Sequence, residues 1–260
     1  AYSSHYEGRL RLPWPCGRLL SSRRFLAVFS RDQLTADDLS EQLRRPVNFL
    51  GNPFMDPVLT PTPPLPLVGN RIGLLPGSRR PELESNLQLL LQLMGKLPPS
   101  ERLHTDLALV AGLDDTALQK IAVSVGWQLN NGALNRSGAP SVQVRRGSFQ
   151  AVLQHSDLVI GMAGTAVEQA VGLAKPVLQL PGQGPQFTEA FAEAQRRLLG
   201  PTVFCAEGES GSRKNLQDSA AMVADLLQRA RHDLELKQQC RAESARRLGH
   251  RGGGRRMASA

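Results

Sequence analysis

Residues 160–170 read IGMAGTAVEQA. An apolar run ending at Ile160 enters Gly161, Met162, Ala163 and Gly164 and leaves into a segment patterned as helix. The turn therefore has backbone room where a helix N-terminus opens, and unpaired amides there favour an anion. Thr165 to Glu168 also spell T-x-x-E, the reciprocal cap in which the Thr hydroxyl accepts from the third helical amide and the Glu carboxylate reaches back. From these residues alone, a plain capped helix and a ligand-holding turn both stand.

Outward from this stretch, apolar strand-like runs alternate with helical stretches. The strands are Arg71 to Leu75, Leu107 to Ala111, Val142 to Val144, Leu158 to Met162, Pro176 to Leu180 and Thr202 to Cys205. The helices are Pro81 to Leu97, Asp115 to Leu129, Ser148 to His155, Thr165 to Leu173 and Gln186 to Leu199. Such alternation predicts an α/β fold, a parallel sheet with helices on both faces. Ligands in open sheets of this kind sit beyond the carboxyl ends of the strands. That rule selects three turns: Pro76 to Glu82, the stretch quoted above, and Pro181 to Thr188.

Each turn offers different chemistry. Pro81 suits a helix start, so Gly77, Ser78 and Arg79 lie where a hydroxyl and a guanidinium can face a diphosphate. Gln183, Gln186 and Thr188 offer neutral groups fit for sugar hydroxyls. A phosphate at Gly164 to Ala166 would be repelled by Glu168, so a shared site needs that carboxylate turned toward neutral hydroxyls such as a ribose diol. A nucleotide meets both demands.

Residues 1–50 carry strand, helix and strand patterns without a partner sheet. Pro61, Pro63, Pro64 and Pro66 then make a stiff extended connector. The expected organisation is a remnant domain over 1–50, a linker over 51–67, a nucleotide-sugar-binding domain over 68–206, and basic helices with a loose tail over 207–260. The chain starts at Ala1, which suggests a piece of a longer protein.

The 260 residues are 41% hydrophobic with a formal charge of +8. No run of eighteen apolar residues and no secretion signal occurs, so the expected compartment is the cytoplasm. From Arg213 onward eleven Lys and Arg oppose five Asp and Glu. That basic end fits either an anionic membrane surface or a solvated helical face. Without interleaved aromatics it is not expected to bind nucleic acid. Cys16, Cys205 and Cys240 match no zinc or redox spacing. G-x-x-x-x-G-K-[ST], complete G-x-G-x-x-G, H-E-x-x-H, G-x-S-x-G and D-x-D are all missing from the sequence. Diphosphate charge would then fall to Arg79 and helix N-termini.

Gly51-Asn52-Pro53 with Asp56, IGLLPGSR at Ile72 to Arg79, GTAVE at Gly164 to Glu168, and LPGQGPQFTEAFAEAQRRLLG together resemble the carboxyl half of lipid-A-disaccharide synthase, most of all its cyanobacterial related proteins. The resemblance spans about residues 25–205. It implies the carboxyl-terminal half of a GT-B glycosyltransferase, Rossmann-like, transferring a sugar from a UDP-sugar to a glycolipid acceptor without metal or other cofactor. It implies that Gly77, Ser78, Arg79, Gly164, Thr165 and Ala166 bind the donor diphosphate, that Glu168 takes the ribose, and that Gln186 contacts sugar or phosphate. The catalytic base would belong to the largely missing amino-terminal domain, which leaves this piece inactive alone. The place of work would be the cytoplasm, peripheral on the inner membrane. Two alternatives are a UDP-N-acetylglucosamine 2-epimerase and a non-catalytic nucleotide-sugar or membrane-surface binding module.

Overall fold

A computed structural model describes residues 3–65, 69–162, 164–182 and 189–260. Before the connector lie α1 (Ser4–Glu7), α2 (Trp14–Leu20) and α3 (Gln33–Leu43), followed by α4 (Met55–Val58). Leu10, Val28, Ala36, Leu39, Leu43 and Val47 bury one another in a small core of their own. A single parallel bridge pairs Phe29 with Asn48 across α3, a strand–helix–strand unit in miniature.

The main body starts with β1 (Asn70–Leu75), α5 (Glu82–Met94), β2 (Leu103–Leu109) and α6 (Asp115–Ser124). It continues through β3 (Gln128–Asn130), β4 (Ala133–Asn135), β5 (Val142–Arg146), α7 (Phe149–His155), β6 (Leu158–Gly161) and α8 (Thr165–Gly172). Then come β7 (Val177–Gln179), α9 (Glu189–Leu199), β8 (Val203–Cys205), α10 (Arg213–His232), α11 (Leu234–Arg247) and α12 (Gly253–Ala258). The sheet order is β3-β4-β5-β2-β1-β6-β7-β8. Strands β5 to β8 in that order are all parallel. Only the β3–β4 hairpin runs antiparallel, on the β5 edge. Chain order reverses between β1 and β6, which makes that pair the topological switch point of a doubly wound sheet.

Two apolar layers hold the sheet. On one face α5 presents Leu83, Leu87, Leu90, Leu91 and Met94, a helical stripe, which packs with Ile72, Leu74, Leu107 and Trp127. On the other, Met55, Val152, Val159, Val167, Val171 and Leu248 join α4, α7, α8 and the end of α11. Strands buried on both sides read as continuous apolar runs, which is the pattern seen in Leu158–Gly161.

Three expectations change. The helix expected to reach Leu129 stops at Ser124, and a hairpin follows, because Asn131 and Gly132 both take positive φ (51° and 75°) in a tight turn. The expected connector is partly helix: Met55 and Val58 are spaced to point into the core, and Gln154 of α7 binds the carbonyls of Val58 and Thr60, each at 2.6 Å. The tail expected to be loose is docked. Asp56 accepts from the amides of Gly252, Gly253 and Gly254 at 2.6, 3.2 and 3.0 Å, and the Asn52 amide donates to the Leu248 carbonyl at 2.9 Å. A carboxylate facing the open amides of a helix start is favourable on charge and hydrogen bonding alike. In this chain the Gly51-Asn52-Pro53…Asp56 motif therefore anchors the chain end.

Desolvation pushes the Asp56 carboxyl up, but the three glycine amides and nearby Arg256 outweigh it and hold it below the ordinary aspartate value. A depressed folded-state value stabilises above the unfolded one, and the contribution is lost as pH falls through it. Asp56→Ala should cost about 1 kcal/mol at neutral pH, in line with helix N-terminal caps. In thermal melts, the variant and the wild type should converge in acid. Met55→Ala should cost about 2–5 kcal/mol in urea unfolding, as for a fully buried long side chain; a cost near zero would show that α4 is not part of the core.

Candidate functional site

Register across the switch point is Ile72 with Leu158, Gly73 with Val159, Leu74 with Ile160 and Leu75 with Gly161. The two strands thus end level, and the residues that follow them, Pro76–Arg79 on one side and Met162 and Gly164 on the other, lie side by side. Gly77 sits at φ 94° and Gly164 at φ 86°, ψ −163°, conformations that a side chain would strain. Between the turns lies a cavity of about 250 Å³ lined by Pro76, Gly77, Ser78, Arg79, Glu82, Asn86, Met162, Gly164, Thr165 and Ala166. All six residues expected at a diphosphate therefore meet at one place.

Helix ends supply its polarity. In α8 the Gly164 carbonyl accepts from Val167 and Glu168 at 3.0 and 3.3 Å, so the amides of Thr165 and Ala166 have no partner within the helix. Helix α5 starts beside it after Pro81, with the Leu83 amide bound to the Arg79 carbonyl at 2.8 Å. Arg79 is exposed and presents a guanidinium at the mouth. Two macrodipole ends and one arginine converge on the same space, which suits an anion with two charged groups.

Two carboxamides pin the turns. Asn86, 3% exposed in the second turn of α5, donates from Nδ2 to the Pro76 carbonyl at 2.9 Å. Gln179 at the end of β7 donates from Nε2 to the Met162 carbonyl, also at 2.9 Å. Neither was singled out from sequence, since an Asn inside a helix and a Gln inside a strand carry no local signal. Glu82, the carboxylate lining the cavity, was also passed over; the acid-rich first turn of α5 is its only trace.

The reciprocal cap expected from T-x-x-E does not form. Gly164 takes the N-cap position, which moves Thr165 into the helix, and no side chain caps it. Glu168 turns elsewhere: its Oε2 accepts from Arg31 Nη2 at 2.8 Å, with the two side chains 15% and 20% exposed. A pair this enclosed lies nearer the roughly 3–5 kcal/mol lost on breaking a buried ion pair than the ~0–1 kcal/mol of an exposed one. Glu168 thus lies one helical turn along from Thr165 and outside the cavity lining. Gln183, Gln186 and Thr188 lie outside the described residues.

Part of the positive charge of the basic C-terminal helices is paired within them. Arg229 faces Asp225 and Asp233 at 3.5 and 3.3 Å, and Arg246 pairs with Glu243 at 2.8 Å. No helix among the described residues is long and apolar enough to cross a membrane.

No family model matches the chain, and no curated protein sequence does. Solved structures do resemble it. The UDP-GlcNAc 2-epimerase of Neisseria meningitidis, bound to UDP-GlcNAc, is 16% identical over 95% of this chain and 64% of its own, with a TM-score of 0.56. A Listeria monocytogenes protein assigned as a UDP-N-acetylglucosamine 2-epimerase is 18% identical over 90% of this chain and 58% of its own, at 0.54. The glycotransferase of kitacinnamycin is 17% identical over 87% and 51%, at 0.51. This chain spans between about half and two thirds of the length of each. At these identities the likeness is one of fold: the chain has the Rossmann-like architecture of GT-B glycosyltransferases and UDP-GlcNAc 2-epimerases.

Proposed function

We propose that this chain carries the donor-binding half of a glycosyltransferase of the lipid-A-disaccharide synthase type, moving a sugar from a UDP-sugar to a glycolipid acceptor. The observation that carries the reading is the pair of glycine turns at the switch point, opening two helix N-termini and Arg79 onto one cavity. In this reading the amides of Gly164, Thr165 and Ala166 and the Gly77-Ser78-Arg79 turn bind the diphosphate. Glu168 takes the ribose, and Gln186 contacts sugar or phosphate. Glu82 repels phosphate and suits a hydroxyl of the donor. The titratable groups on the cavity wall among the described residues are Arg79 and Glu82; in this reading the base that activates the acceptor belongs to the amino-terminal domain that the resemblance implies. The acceptor glycolipid would be met at an anionic membrane surface.

A second reading, a UDP-N-acetylglucosamine 2-epimerase, uses the same donor site and is supported by the fold shared with two such proteins. Product analysis separates the two: a transferase leaves a new glycosidic bond and UDP, whereas an epimerase changes the configuration at C2 of the sugar without any acceptor.

Donor binding is the direct test. Titration of the isotope-labelled chain with UDP should shift the amide resonances of Gly77 and of Gly164 to Ala166. Arg79→Ala should weaken binding by about 10- to 100-fold, since a charge-assisted phosphate contact contributes roughly 1.5–3 kcal/mol. No response to millimolar UDP from a folded sample would sink the proposal. Gly164→Ala forces a side chain into φ 86° and should cost about 1–2 kcal/mol of stability. Its UDP affinity should fall more than that of a surface control.

A further inference from the structure

Arg31 lies in the segment before α3, ahead of the proline-rich connector, yet its guanidinium reaches the first turns of α8. Its Nη2 donates to Glu168 Oε2 at 2.8 Å, 137 residues away in the chain. The guanidinium is itself placed by a fixed neighbour. Asp32, buried, accepts from the Thr35 amide and the Ser3 hydroxyl at 2.8 Å each, which locks the start of α3, and its Oδ2 stands 3.8 Å from Arg31 Nε. Arg31 thus bridges a carboxylate that anchors its own segment and a carboxylate on the helix opening the candidate site.

We infer that Arg31 is the positioning residue for nucleotide ribose recognition. It holds Glu168 by one oxygen so that the other, Oε1, is presented to the 2′ hydroxyl. The inference rests on the nucleoside-diphosphate reading of the switch-point turns. Three observations carry it. Glu168 is three residues after Thr165, so both lie on one side of α8 next to the diphosphate turn. Oε2 is taken by Arg31, and no described residue binds Oε1. Both side chains are largely enclosed, so a neutral diol competes poorly for the guanidinium and instead adds to the oxygen left open. Ribose selectivity is then set by contact between the pre-connector segment and α8, and a displaced segment would bind ribose and deoxyribose nucleotides alike.

The experiment compares UDP with 2′-deoxy-UDP by calorimetry on the whole chain, in wild type, Arg31→Ala, Arg31→Gln and Glu168→Ala. The wild type should prefer UDP by about tenfold, the value of one hydrogen bond to a charged group. Both Arg31 variants should reduce the preference to within about twofold while binding 2′-deoxy-UDP within about twofold of wild type, and Glu168→Ala should do the same. Arg31→Gln retains the packed stem and serves if the alanine variant unfolds. Arg31 variants that keep the full preference, or that lose both nucleotides equally, would overturn the positioning role. A wild type that binds both nucleotides equally also overturns it and leaves the diphosphate reading standing. A wild type that binds neither overturns both.

Discussion

Everything about the candidate site depends on the parallel pairing of β1 with β6. These strands are far apart in sequence, and the helix after each leaves toward a different face of the sheet: α5 with the layer around Trp127, α8 with the layer around Met55. Because the register ends Leu75 level with Gly161, the two turns emerge at the same height and their helix starts cannot crowd each other. A cavity between two positive helix ends follows from strand order alone, before any side chain is considered. The glycines then let the backbone close around it, and Arg79 adds the only guanidinium on its wall among the described residues.

That logic explains how much could be read from the residues. The six parallel strands were legible because each contains a short apolar run, although β2 (LHTDLAL) and β5 (VQVRR) mix it with polar residues. Their alternation with helices points to one architecture. The convergence of Gly77–Arg79 with Gly164–Ala166 followed from the strand-end rule. Other features escaped for identifiable reasons. The hairpin over Gln128–Asn135 overlaps the end of the expected helix only at its first two residues and had no expected element over the rest, although its Asn-Gly turn was in plain view. Helix α4 was masked by the prolines around it. The cap at Thr165 failed because Gly164, free to take a backbone conformation denied to other residues, claimed the position first. The partner of Glu168 lay 137 residues away, beyond any local pattern.

The N-terminal segment and the chain end are also less separate from the sheet than composition suggests. Met55 fills the layer beneath α8, Asp56 secures α12, and Arg31 reaches α8 directly. The segment ahead of the connector is thus mechanically tied to the same helix whose amides open onto the cavity. Helices α4 and α12, far apart in sequence, also pack on one another.

The carboxamide pins have one more implication. The carbonyls of Pro76 and Met162, at the edge of the cavity, are held by Asn86 and Gln179, groups that neither gain nor lose a proton in water. A cradle held by carboxylates or histidines would change shape as those groups titrate. At these two points the turns are held by groups with no proton to gain or lose. The titratable side chains on the cavity wall among the described residues, Arg79 and Glu82, take no part in these two pins.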